Sequence, residues 1–431
     1  MVFHPPEHPA TFLTQPRVWR CAWAALFTVL AVMLCHTPAN AQPKDLTVDE
    51  ALAQFYENNL DIIINRYEVD KSYADYVTAK LIPNPNLTVN YNNLEISRGH
   101  TNRGDNTQLT IRVDQLIETA GKRTHRANTA NELYEAAKIG HKDVIRNLLI
   151  GFYTLYYAIN LDMFNTDFAK QELVLYNRLL EIAKKKHNAG FLSTIDYTKL
   201  KMRRIELANN VVNAETQLKN DLSAFAVLLG KEEQCRPARV RLHENLRKYN
   251  EEELVSTAQE NRYDLLSLKR QLRAAENAVL LAKAGRVPDF SIGGEYDSIG
   301  NPAKNGVGAG FSIPLPIFSR SQGAILRSEA AKKQVETQIT KVKRVITMEV
   351  QQSLNTYNAS ARVFQTYNGS KPEMDTLMTN STKAFTLGGI TVLDLLDAER
   401  TYRDFMTKYH QAFIQAILNS ELIKVYTGEM K

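Results

Sequence analysis

Cysteine is almost absent from this chain: of three residues, Cys21 and Cys35 fall before position 41, and Cys235 alone lies beyond it. Past residue 41 no internal disulfide can form, even in an oxidising compartment. Cys235 itself reads as an incidental thiol in a polar connector. Long apolar runs are also missing, with one exception. Residues 21–35 follow Arg17 and Arg20 and lead to Ala39-Asn40-Ala41, the pattern of a secretory leader with an Ala-x-Ala cleavage site. That run of about fifteen residues is shorter than the roughly 20 a membrane-spanning helix needs. Leu34 before Cys35 departs from a lipobox, so no lipid anchor is expected. Residues 1–41 are therefore expected to be a signal peptide, and an exported chain without a second apolar run can enter a membrane only through strands.

Other absences exclude other functions. The net charge of +6, which becomes +5 without residues 1–41, is spread thinly, and no basic block interleaved with aromatics marks a nucleic-acid surface. Histidines 100, 125, 141, 187, 243 and 410 form no ligand pair at helical spacing. Met374 and Met378 stand four apart, which suits ordinary helix packing. No catalytic constellation is visible, so neither an enzyme nor a bound cofactor or metal is expected.

What the chain does contain is a duplication. Residues 387–397 read Leu-Gly-Gly-Ile-Thr-Val-Leu-Asp-Leu-Leu-Asp, and residues 189–196 read Ala-Gly-Phe-Leu-Ser-Thr-Ile-Asp, superimposable on 387–394 at an offset of 198. The offset holds to Gly230 and Gly428. Each copy predicts a glycine turn, at Gly190 or Gly388, then a helix capped by Ser193 or Thr391, with Asp196 or Asp394 completing a capping box. Apolar positions recur every seven residues in both helices. They are Leu395, Tyr402, Tyr409, Ala416 and Ile423 with Ala398, Phe405, Ala412, Asn419 and Tyr426; and Tyr197, Arg204, Val211, Leu218 and Phe225 with Leu200, Leu207, Ala214, Asp221 and Leu228. Five heptads sustained twice predict coiled-coil packing.

A second offset, 203, pairs Glu57-Asn58 with Glu260-Asn261, Asp61 with Asp264, Ala79-Lys80 with Ala282-Lys283, and Pro85 with Pro288. The repeats therefore occupy residues 42–230 and 250–431, joined by a charged connector, 231–249, that is expected to be exposed. Each repeat begins with a helix stopped by proline, at Pro83 and Pro85 or at Pro288. Alternating segments follow. Strands are expected near 86–96 and 108–117, and near 289–299 and 306–317, with apolar residues on one face and polar or small ones on the other. At about ten residues each, they are long enough to span a bilayer when tilted, although a single pair would equally suit a half-buried soluble hairpin. Uninterrupted helical patterns then run from about 123 to 188 and from about 321 to 387. Near 65 residues gives roughly 100 Å of helix, longer than any globular core. Gly369 to Pro372 predicts a kink in the second one. Four strands cannot close a barrel by themselves, and lipid tolerates no open sheet edge, so closure needs several chains. Two chains would give a bore filled by side chains, and three a water-filled one.

Laid out in this order, the chain resembles the TolC-type outer-membrane efflux factors over nearly all its length. Ile-Pro-Asn-Pro-Asn-Leu at 82–87, Glu-Thr-Ala-Gly-Lys-Arg at 118–123 and Pro-Leu-Pro-Ile-Phe-Ser-Arg at 314–320 look like that family's heavy-metal branch, partners of cobalt, zinc and cadmium exporters. Ala120 departs from the second glycine the branch often carries. The resemblance implies a mainly α fold with a small β part: a homotrimer whose twelve-stranded outer-membrane β-barrel continues into a periplasmic α-helical coiled-coil barrel. Its implied function is an exit duct, embedded in outer-membrane lipid, for cargo delivered by an inner-membrane, proton-driven pump through a periplasmic adaptor. Heavy-metal cations are the implied cargo. A duct for protein secretion and an exported structural coiled-coil protein remain as alternative readings.

The same resemblance places a channel gate at Asp394 and Asp397, matched through Gly-x-x-Thr-x-x-Asp-x-x-Asp, with capping as the plain structural role of Asp394. The first copy has Asp196 but Lys199 where the second acid would fall, and these two are expected to form ion pairs across the hairpins. Gly190, Leu192, Ser193, Gly388, Ile390 and Thr391, at the turns, are the expected adaptor contacts.

Overall fold

The computed structural model describes residues 45–92, 95–97, 100–102, 107–233, 235–240, 247–300 and 302–429. The expected signal peptide lies outside the described residues. The first repeat opens with α1 (Val48–Asn58) and α2 (Leu60–Lys80), the second with α5 (Glu251–Asn261) and α6 (Tyr263–Ala284). Thr47 caps α1 in a full capping box with Glu50. Asn59 breaks the chain between α1 and α2, accepting from the Ile62 amide at 3.0 Å and donating to the Leu228 carbonyl at 2.8 Å. In the second repeat Arg262 holds the matching break, forked onto Asp264 and bonded to Glu349. The closing glycines of the repeats sit on these two breaks. A Cβ on Gly230 would fall 2.1 Å from the Asn58 carbonyl oxygen, and one on Gly428 would fall 3.2 Å from that of Asn261.

Four strands form one antiparallel sheet in the order β1 (Asn86–Asn92), β4 (Gln108–Ile117), β5 (Phe290–Ile299), β6 (Lys304–Ser312), so the two repeats join through β4 and β5. The first strand stops at Asn92, short of the expected 96, and a small separate hairpin, β2 (Glu95–Ser97) with β3 (His100–Asn102), lies between it and β4. Proline excludes helix at 83 and 85, and alternation then separates the sheet faces. Leu87, Val89, Ile111, Val113, Ile292, Tyr296, Val307 and Phe311 are exposed on one face. Thr88, Thr110, Arg112, Asp114, Glu295 and Asp297 share the other. An exposed apolar face on a sheet without covering helices suits contact with lipid.

The sheet passes into α3 (Lys122–Asn188) through Glu118 to Gly121, and into α7 (Gln322–Leu387) through the segment before Ser321. Ala120 and Gly121 are both left-handed, with φ of 51° and 69°. The corner is tied to the other repeat: Lys122 meets Asp289 at 2.8 Å, and the Thr119 amide donates to the same carboxylate at 2.7 Å. Arg126 folds back on Glu118 and reaches the Ala79 and Leu81 carbonyls. Pro372 does not end the helix. α7 continues through it as one helix, losing a single backbone donor, while Asp375 beside it accepts from Lys371 and from Tyr402 of α8 (Val392–Thr427).

α3 and α7 each turn back at a glycine into shorter helices, α4 (Thr194–Leu228) and α8. Their seams differ. α8 lies between α7 and α3 and buries Leu395, Met406, Tyr409, Ala412, Phe413, Ile414, Ala416, Leu418, Ile423 and Val425, a stripe wider than the heptad positions alone. α4 buries only Leu200, Leu207, Phe225 and Ala226, leaving Ile195, Met202, Ile205 and Val212 exposed. The central core joins Phe55 of α1, the α3 aromatics Phe152, Tyr156 and Tyr157, Phe225 of α4, and Tyr409 and Phe413 of α8.

Among its described residues the connector is exposed only in part: Glu232, Glu233, Arg239, Arg247 and Lys248 are exposed as expected, whereas Pro237 is buried. Leu46 and Pro237 form a parallel bridge, the Tyr156 hydroxyl donates to the Leu46 carbonyl, and the Val240 amide donates to Asn160. Cys235 is half-buried against the central core.

Candidate functional site at the helical tips

Both turns are built alike. In the first, the Gly190 and Phe191 amides donate to the His187 and Lys186 carbonyls at 3.0 and 2.9 Å; in the second, Gly388 and Gly389 donate to Phe385 and Ala384 at 3.1 and 2.8 Å. Such paired bonds need a left-handed residue, and Gly190 and Gly388 have φ of 81° and 84°. The caps differ. Asp394 completes its box, accepting from the Thr391 amide at 2.9 Å and hydroxyl at 2.7 Å, while its own amide donates to that hydroxyl at 3.2 Å. These bonds hold its carboxyl below the usual range. In the first copy Ser193 accepts from the Asp196 amide at 3.0 Å, but no return bond to the Ser193 amide forms. The Ser193 hydroxyl, and secondarily Lys199, lower the Asp196 carboxyl.

Asp397 stands exposed one turn into α8 and makes no hydrogen bond or ion pair among the described residues. Asp196 and Lys199 meet each other at 3.3 Å within α4 instead of reaching across the hairpins. Of the expected contact residues, Gly190, Ser193, Gly388 and Thr391 are exposed at the turns, whereas Leu192 and Ile390 are half-buried against the apolar cluster that includes Ala183, Leu200 and Leu395. The side chains standing outward are Phe191, Leu387, Ile195 and Leu393.

Heptad reading places Arg204 in the seam and misses its neighbour. Arg203 of α4 crosses to the second hairpin and forks onto Glu399 of α8 at 3.0 and 2.5 Å. Their side chains are only 11% and 4% exposed. Glu206 approaches the same guanidinium at 2.8 Å, Glu172 of α3 at 3.8 Å, and Arg403 stands 3.7 Å from Glu399. Burial first, and then the hydrogen bond and charge of Glu399, push the Glu172 carboxyl up to about 9. Above this cluster opens a groove of ≈ 900 Å³ between α4 and α8, lined by Lys199, Arg203, Glu206, Glu399, Arg400 and Arg403 among others. A second tie crosses nearby, from the Lys186 ammonium to the Phe385 carbonyl at 2.5 Å. The only signal for Arg203 in the sequence is a charge pattern whose partner lies 196 residues away.

A four-stranded sheet with one exposed apolar face, set on paired helices of roughly 100 Å, defines one stave of a multichain membrane duct. The chain belongs to the outer membrane efflux protein family, which it matches over residues 51–231 and 254–424. It is similar to the cobalt-zinc-cadmium resistance protein CzcC of Cupriavidus metallidurans, 26% identical over 375 residues, covering 84% of this chain and 85% of that one. The outer membrane protein TolC of Vibrio cholerae is 22% identical, covering 82% and 85% of the two chains. Among solved structures, the transmembrane channel CusC superimposes with a TM-score of 0.74 at 14% identity, covering 90% of this chain and 93% of that one. The protein is thus an efflux exit duct of the outer membrane, in a family of channels, not of enzymes, whose members form homotrimers and work with an adaptor and an inner-membrane pump.

Proposed function

We propose that three copies of this chain form a duct for heavy-metal cations, gated at the second helical tip by Asp394 and Asp397. The observation that carries the gate is Asp397: an exposed carboxylate one turn beyond the cap, with no partner among the described residues. Six such carboxylates around a threefold axis attract cations and resist simultaneous ionisation, and they separate by small helix movements. The Arg203–Glu399 fork keeps the hairpins of one protomer together in the closed state. Phe191, Leu387, Ile195 and Leu393, with the turn residues Gly190, Ser193, Gly388 and Thr391, offer an apolar rim for the periplasmic adaptor, and a proton-driven pump supplies the cargo.

The cargo assignment is supported by the resistance protein matched over most of both chains. Asp394→Ala with Asp397→Ala should raise the conductance of the purified channel in planar bilayers and weaken block by divalent cations. Unchanged conductance and unchanged block would refute the gate. For the cargo, deleting the gene should sensitise cells to zinc, cobalt or cadmium, whereas loss of a secreted protein with normal metal tolerance would favour a protein-secretion duct.

A further inference from the structure

The polar face of the sheet carries charged side chains that do not project from it. Arg112 and Asp114 on β4 and Glu295 and Asp297 on β5 stand on the same face, with Arg112 opposite Glu295 and Asp114 opposite Gly293. Each of the first three leans sideways toward β6 into room that a glycine leaves. A Cβ on Gly293 would fall 2.2 Å from Asp114 Oδ1, one on Gly308 would fall 2.9 Å from Glu295 Oε1, and one on Gly310 would fall 2.6 Å from Arg112 Nη2. Arg112 ties the row together, donating from Nε to Asp114 at 2.8 Å and from Nη1 to Glu295 at 3.3 Å. Asp297 is held by Gln108 at 3.2 Å and by the Thr110 hydroxyl. Nothing in the described chain covers this face, yet the side chains of Arg112, Asp114 and Glu295 are only 32%, 22% and 31% exposed. They are half-buried because they lie along the wall.

We propose that Arg112, Asp114 and Glu295, laid flat by Gly293, Gly308 and Gly310, set the charge preference of the barrel bore while leaving its width open. This discrimination is separate from that of the tip carboxylates. It rests on the reading that three copies close a barrel with this face inward, which the exposed apolar residues of the opposite face require in lipid. Through these rungs each chain presents three carboxylates, Asp114, Glu295 and Asp297, against one guanidinium; Lys304 lies on the same face at the far end of β6. A bore with an excess of one sign, walled by a low-dielectric sheet, concentrates the opposite ion. The bore therefore favours cations. Larger residues at 308 or 310 would push Glu295 or Arg112 toward the axis and narrow it.

The test labels a reporter thiol from outside intact cells, where the periplasmic tips play no part. Ser312→Cys in a Cys235→Ser background provides the reporter, since Ser312 is exposed on the same face and lies inward of Gly308 and Gly310 along β6. With each rate divided by that reagent's rate on a free thiol in solution, a cationic, membrane-impermeant methanethiosulfonate should react about tenfold faster than an anionic one, and Glu295→Gln with Asp114→Asn should bring the two normalised rates together. Gly308→Val should slow both reagents, with Gly308→Ala giving a smaller slowing in a protein that still forms trimers. Rates that ignore both the charge and the glycine variants would overturn the inference. Glu295→Cys and Tyr296→Cys separate it from the barrel reading: labelling of Tyr296→Cys with protection of Glu295→Cys would mean that the sheet faces are reversed and that the barrel assignment itself has failed.

Discussion

Replacing Arg203 by alanine should open the duct more than it unfolds the protein. Among the described residues Arg203 is the one guanidinium that bridges α4 to α8 at hydrogen-bond distance, and its removal leaves Glu399, at 4% side-chain exposure, facing Glu172 with Arg403 at 3.7 Å. Breaking a buried pair by removing one partner costs about 3–5 kcal/mol. Arg403 and a proton on Glu172 offset part of this, leaving about 2–3 kcal/mol per protomer. If the fork exists only in the closed state, that whole amount shifts the closed-to-open equilibrium. At 1.4 kcal/mol per tenfold, a loss of about 2 kcal/mol corresponds to roughly a 30-fold rise in the open-to-closed ratio for each protomer's tip, and the factors multiply where the three tips open together. Single-channel recording of the purified protein measures it directly. Arg203→Lys, which keeps the charge but loses the two-pronged geometry, should give an intermediate gain. Arg203→Glu with Glu399→Arg should restore closure in part. A variant with lower thermal stability but wild-type open probability would refute the reasoning, for it would make the fork a brace present in both states.

Two further outcomes follow from the same coordinates. Glu172 has a raised carboxyl, so its contribution to stability is complete below the ordinary glutamate value and is lost as pH rises through about 9; ionising it beside Glu399, with Tyr176 on α3, Glu206 and Arg203 on α4 and Arg403 on α8 around it, should loosen the hairpins. Open probability should therefore climb above about pH 9 in the native channel and stay flat in Glu172→Gln, and an equal climb in both would assign the effect to other groups. At the corner between barrel and helices, Ala120 has φ of 51°, a conformation costing an L-residue about 1–2 kcal/mol. Ala120→Gly removes that cost and loses about 0.5–1 kcal/mol of backbone entropy. Trimers of Ala120→Gly should therefore dissociate at a slightly higher temperature in detergent, while an unchanged or lower temperature would show the corner to be unstrained.

Much of this architecture is legible in the chain because two periodicities never overlap. The alternation of Leu109, Ile111 and Val113 with Thr110, Arg112 and Asp114 marks a strand whose faces meet different solvents, and repetition at fixed offsets turns weak single signals into paired ones. Signals fail where a contact is short or remote. β2 and β3 have three residues each, too few for alternation to register. The connector appears loose by its charge, yet its backbone pairs with Leu46, almost 200 residues away. At the tips, the glycine turns, the cap residues Ser193 and Thr391 and the box of Asp394 could be read locally, while the box expected at Asp196 lacks its return bond. Leu192 and Ile390 were indistinguishable from outward-facing apolar residues, and Arg203 from a solvated charge, because both distinctions depend on the other hairpin.

Duplication also explains why the tip holds together. Two identical hairpins would present like charges to each other wherever they touched. Under the offset of 198, Lys199 and Lys201 of the first copy correspond to Asp397 and Glu399 of the second, so the sign is reversed at both positions. One reversal supplies Glu399, the acceptor that Arg203 needs. The other removes a lysine from the turn after the cap and leaves the carboxylate of Asp397 unpaired. In the proposed gate, reversal at 399 without 397 would link the hairpins and leave each chain one gate acid; reversal at 397 without 399 would set a lysine against Arg203, repelling the hairpin that carries the proposed gate. In the proposed gate, closure and cation attraction would therefore draw on Asp397 and Glu399, two residues on one helical turn of α8.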